Sequence, residues 1–217
     1  MDPRLWENGQ RLNEWDPKYG NLGKFTEAAE KAQDAKWKRL MANRPPRDAL
    51  PRNLMPRPDR PDPPLYRYGI PFTAKYAIDY ARQHHLKIDI AEEDREVFRG
   101  HVVLDFADLD DAWLKDDDDV RLFALSVSRL LMEEDLSEKC DCALEIGRPF
   151  SNDWDGIVSL WSNHNFDERF DECLDPGMSI EVLKMAMNEL EDQNPVKPQW
   201  WFDWDNDVVR GVFTSIA

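Results

Sequence analysis

The chain has 217 residues, of which 41% are hydrophobic and 11% aromatic, enough for one ordinary domain with a real core and too apolar for a chain disordered throughout. Its formal net charge of −16 opposes non-specific binding to nucleic acid, whose phosphates it repels, and favours basic partners or cations. The charge is uneven: residues 1–68 hold 14 Lys+Arg and 10 Asp+Glu, a net of +4, whereas residues 69–217 hold 14 and 34, a net of −20.

Residues 1–23 are rich in Gly, Asn and Trp and read as an irregular arm, with Trp6 and Trp15 as pins. The start "MDPRLWENGQ" lacks the basic end and apolar centre of a secretion signal, and no apolar run reaches membrane-span length. Residues 24–43 read as a helix from their alanines and the acid-first pairs Glu27–Lys31 and Asp34–Lys38. Nine of the fifteen prolines fall between 45 and 71, with arginines interspersed. Proline fixes φ and removes a donor, so this stretch is expected to be an extended strap that packs back on the acidic part through its arginines.

From Gly69 onward, "FTAKYAIDYARQHH" predicts a helix capped by Thr73. "LKIDI" predicts a short strand and "HVVLDF" a buried one. "DDDDVRLFALSVSRLLMEE" predicts the strongest helix, opened by Asp118 or Asp119 as N-cap, with Val120, Phe123, Val127 and Leu130 on its buried face. "CALEIGRPFSNDWDGIVSLWSN" predicts two strands around a turn. "DPGMSIEVLKMAMNELEDQ" predicts a helix with Asp175 as cap and Pro176 at its first position. "PQWWFDWDND" reads as extended and "VRGVFTSIA" as a last strand. The expected fold is α+β: a helix-rich single domain with a small antiparallel sheet over residues 71–217, preceded by the arm, helix and strap of residues 1–70.

Three kinds of site are in play. The aspartate run and the aromatic "WWFDW" offer an acidic surface with an exposed tryptophan anchor: Asp116, Asp117, Trp201, Asp203 and Asp205. Asp105, Asp108 and Asp111 follow an apolar run and present oxygen ligands for a magnesium-like cation, without a phosphate-cradling glycine loop. Cys140, Cys142, His164 and Cys173 have zinc-ligand chemistry at a spacing unlike the familiar fingers. The odd cysteine count, with "CDC" nearly adjacent, argues against a secreted disulfide framework and for a reducing, cytoplasmic or nuclear setting. The expectation is a non-enzymatic interaction module, an acidic adaptor or inhibitor that docks a basic protein or peptide. No cofactor, nucleic acid or membrane is expected. The alternative is a metal-dependent hydrolase or phosphotransferase built on Asp105–Asp111.

Overall fold

The computed structural model describes residues 6–12, 14, 16–18, 24–172, 175–188 and 197–204. Its fold is α+β, as expected. Four antiparallel strands form the main sheet in the order β6 (Glu145–Gly147), β7 (Gly156–Ser162), β3 (Tyr66–Phe72), β8 (Gln199–Phe202). The central β7 is buried at all seven positions, the pattern of a strand covered on both faces. The domain boundary expected at residue 70 falls inside β3. The end of the strap is therefore already part of the sheet.

At the bulge between Tyr68 and Gly69, the pairing to β7 skips Leu160. A Cβ on Gly69 would lie 2.0 Å from the Val158 carbonyl oxygen, so only glycine admits this approach. The bulge sets Tyr68 opposite Trp161, and their rings stack at 5.4 Å with 4° between planes. On the other edge Tyr68 pairs with Trp200.

The helices α2 (Ala74–Gln83), α4 (Asp118–Cys140) and α6 (Pro176–Met187) pack on the sheet, where Phe72 and Leu160 meet Tyr76, Met132, Leu136 and Leu183. Local chemistry sets their starts. Thr73 caps α2 through Tyr76 N, and Asp175 caps α6 through Met178 N ahead of Pro176. A second core lies under the hairpin of β4 (Lys87–Asp89) and β5 (Val103–Asp105), where Leu104 and Phe106 meet Ile78 of α2, Trp113 of α3 (Asp111–Asp116), and Val120 and Ala124 of α4.

Three expectations are corrected here. "HVVLDF" is no buried strand of the sheet: β5 pairs with β4 alone, and Val102 and Val103 are exposed. Leu130 is 60% exposed, because the buried series of α4 runs through Ala124, Ser128, Met132 and Leu136 in steps of four, and Leu130 stands roughly 200° around the helix from Ser128. The N-cap of α4 is Asp117, whose carboxylate accepts from Asp119 N and Val120 N at 3.0 and 3.1 Å, so Asp118 and Asp119 are first-turn residues.

The arm and strap complete the molecule. A two-stranded ribbon, β1 (Trp6–Glu7) and β2 (Gln10–Arg11), meets α1 (Glu27–Ala42), where Arg39 donates to both oxygens of buried Glu7. The strap does pack on the domain, and of its arginines Arg67, at its β3 end, pairs with Glu145 and Asp203 of the acidic part, whereas the middle ones do not. Arg52, Arg57 and Arg60 are exposed, and Arg60 contacts only its neighbour Asp59, at 3.9 Å. Elsewhere the strap is attached through its main chain. Arg47 and Trp200 exchange N–H···O bonds of 2.9 and 2.8 Å. The buried Asn163 donates to the Leu54 and Pro64 carbonyls and accepts from Tyr66 N. The roles of Trp15 and the last predicted strand lie outside the described residues, as does the side chain of Trp6.

Candidate functional site: an aromatic cavity with a carboxylate mouth

The sheet end, the strap and two helices line an open cavity of about 750 Å³. Three adjacent strands supply the rings of Tyr68, Trp161 and Trp200. The short helix α5 (Phe166–Glu172) adds Phe166 and Phe170, one helical turn apart, which meet the Trp161 ring at 5.5 and 5.7 Å. Leu50 and Met55 of the strap and Ile180 of α6 close the remaining apolar wall. The Asn163 and Arg47 hydrogen bonds therefore do more than tether the strap: they hold one wall of this cavity in place.

The polar groups are few. Asp48 and Asp175 are the only ionised side chains among the described lining residues. Asp48 accepts from Lys197 at 2.7 Å and from Gln199 at 2.9 Å, interactions that hold its carboxyl below the ordinary value. Asp175 caps α6. Burial raises the pKa of the Tyr68 phenol; Lys184 opposes this and Asp48 adds to it, so the group stays a neutral donor. Its hydroxyl has no protein partner among the described residues. The described lining holds no histidine, cysteine, serine or lysine. Apolar walls with a few placed polar groups are the make-up of a binding cavity.

The sites expected from sequence are arranged differently. Trp201 and Asp203, expected on an exposed anchor surface, are 7% and 1% exposed. Antiparallel pairing puts Trp201 on the same sheet face as Arg67. There Arg67 Nε binds Asp203 and Nη1 binds Glu145 at 2.5 Å, while Arg169 holds the second Glu145 oxygen at 2.7 Å. Burial pushes the Glu145 carboxyl up, but Arg67 and Arg169 outweigh it and leave its pKa lowered. Asp117 is committed to capping, Asp118 pairs with Arg121 at 2.9 Å, and Asp116 remains exposed. Asp205 lies outside the described residues.

The expected metal ligands do not converge. Asp105 accepts from Ala107 N, which lowers its pKa; burial opposes this, and Lys87 and His85 assist. Asp111 accepts from Arg82 at 2.9 Å, and Asp108 faces solvent. Cys140 is buried and free, with burial pushing its thiol up to about 11 against the influence of Lys139. Cys142 is disulfide-bonded, and His164 Nε2 lies 2.9 Å from the Pro63 oxygen. Cys173 is outside the described residues. Among the described residues no three His, Cys, Asp or Glu side chains come together as a metal site.

Sequence reasoning missed Tyr68, Trp161, Phe166 and Phe170. The available signal was weak: a tyrosine before a glycine in "YRYGIP", and a tryptophan ending "GIVSLW". No family model, no curated protein and no solved structure matches the chain. Among the described residues no helix is long and apolar enough to cross a membrane.

Proposed function

We propose that the protein is a binding module that captures a basic segment of another protein, with one large apolar side chain of that segment seated in the aromatic cavity. One observation carries this reading: an apolar cavity of about 750 Å³ whose only ionised described groups are carboxylates. A lysine- or arginine-rich segment is complementary to that mouth and to the net −20 of residues 69–217. Aromatic faces add cation–π attraction for the flanking ammonium or guanidinium groups. Buried aromatic anchors are where interface energy concentrates.

The test is a titration of the full chain with a lysine/arginine-rich peptide carrying one leucine, followed by tryptophan fluorescence and calorimetry. Saturable binding is expected. Replacing the peptide leucine by glycine, or Phe170 by serine at its exposed position in the wall, weakens it about tenfold. Asp48→Asn with Asp175→Asn slows association and reduces its salt dependence, while the asparagine still caps α6. Equal binding of a glutamate-rich peptide, or no saturation with the basic one, would overturn the proposal.

A further inference from the structure

A second cavity, of about 440 Å³, shares no lining residue with the first. It lies between the C-terminal half of α1, the start of the strap and the loop 150–154, with Trp201 in its wall. Three observations set it apart. Trp201 is 93% buried, yet its indole Nε1–H has no hydrogen-bond partner among the described residues. A buried indole N–H ordinarily finds an acceptor, since it gives up water on folding and must be repaid. The cavity also collects cations: Lys38, which forms no ion pair among the described residues, and Arg44, which donates to the Leu40 carbonyl at 3.1 Å and lies over the Phe202 ring at 4.8 Å. The one carboxylate in the described lining is the exposed Asp153. Finally, Met41, Pro45, Phe150 and Trp154 make much of the remaining wall apolar and partly flat, beside the polar Ser151 and Asn152.

We infer that this cavity is a separate ligand site for a small organic carboxylate with a flat apolar body. The carboxylate accepts from Trp201 Nε1–H and is balanced by Lys38, and the flat body lies against Trp154 and Phe150. Its preference in charge is opposite to that of the first cavity, and its size falls in the range of small-molecule sites. An acceptor that reaches the buried N–H gains more than the same group on the surface, because the hydrogen bond forms away from water.

The experiment uses the ¹H–¹⁵N spectrum of the full chain, in which Trp201→Phe assigns the Trp201 indole resonance. The probe is 2-naphthoate, with neutral 2-naphthylmethanol as its comparison. The expected result is saturable binding of naphthoate that moves the Trp201 indole resonance, with the alcohol binding more weakly. Trp201→Phe should weaken binding about tenfold, the 1.4 kcal/mol of one hydrogen bond. Lys38→Gln, at an exposed position, should weaken naphthoate several-fold and leave the alcohol unchanged. If Trp201→Phe does not fold, the resonances are assigned through Trp154→Phe and triple-resonance spectra, and Lys38→Gln decides. The inference is overturned by the absence of saturation, by an unmoved Trp201 resonance, or by a carboxylate preference that survives Lys38→Gln.

Discussion

The middle of the arginine-bearing strap and the aspartate run are two stretches whose charge stands out in the sequence, and neither uses that charge at a distance. The strap is fixed by main-chain hydrogen bonds, by Asn163, and by the apolar side chains of Leu50 and Leu54 on the core; its middle arginines stay in solvent. The aspartate run acts within three residues of itself, through the Asp117 cap. Charge placed in water is screened within about 10 Å at ordinary ionic strength, so only charge taken into the fold shapes it. Arg67, Glu145 and Asp203 show the other case, three ionised groups packed between strands where screening is slight.

The largest break in this contrast comes from Arg67→Ala. It removes the guanidinium from an Asp203 carboxylate that is 1% exposed, and should cost about 3–5 kcal/mol by denaturant titration. A loss below 1 kcal/mol would place Arg67 with the surface charges. The network also sets an acid limb. Glu145 has a folded pKa below its ordinary 4.5, so its contribution is complete above that value and is lost as pH falls through the folded one. Asp135 behaves alike: burial pushes its carboxyl up, but the hydrogen bonds from Tyr80 and Lys139 outweigh it and leave its pKa below 3.8. The wild-type chain should lose stability below about pH 4.5, with a shallower acid limb in Arg67→Ala, read from melting temperature against pH.

Asn163→Ala tests the strap. It leaves the Tyr66 N–H and the Leu54 and Pro64 carbonyls without their partner, at a cost of about 3 kcal/mol. Cleavage within 51–64 by a protease should rise in this variant, and in the wild type it should be equally slow at low and high salt. Salt-accelerated cleavage of the wild type would restore the arginines as the fastening.

What could be read from the sequence follows the same division between local and distant. Thr73, Asp175 with Pro176, and the "SNDWDG" turn were legible because each acts on backbone a few residues away. The aromatic cavity was not. Its rings come from Tyr68, Trp161, Phe166 and Trp200, brought together by strand pairing and by a bulge that depends on a carbonyl approaching Gly69. Trp201 was misplaced for a related reason: nothing in "WWFDW" says that Arg67 stands opposite or that a loop and α1 cover it.

The smallest effect concerns the aspartates themselves. Four identical neighbours leave the cap's register open in sequence, and packing decides it. Trp113 and Val120 are both buried in the hairpin core, so α3 must end and α4 begin between them, and Asp117, with φ −130° and ψ 110°, is the extended residue at the junction. Asp117→Ala should therefore cost about 0.5–2 kcal/mol, while Asp117→Asn, which still accepts from Val120 N, should cost a few tenths. Asp116→Asn should be neutral or slightly stabilising, since Asp116 stands in solvent at the C-terminal end of α3, where a negative charge is disfavoured by the helix dipole and by its neighbours. Thermal denaturation of the three variants at low salt resolves these values. Equal losses from Asp116→Asn and Asp117→Ala would show that the run acts as a block of charge, and the contrast between buried and exposed charge would then fail at its most local point.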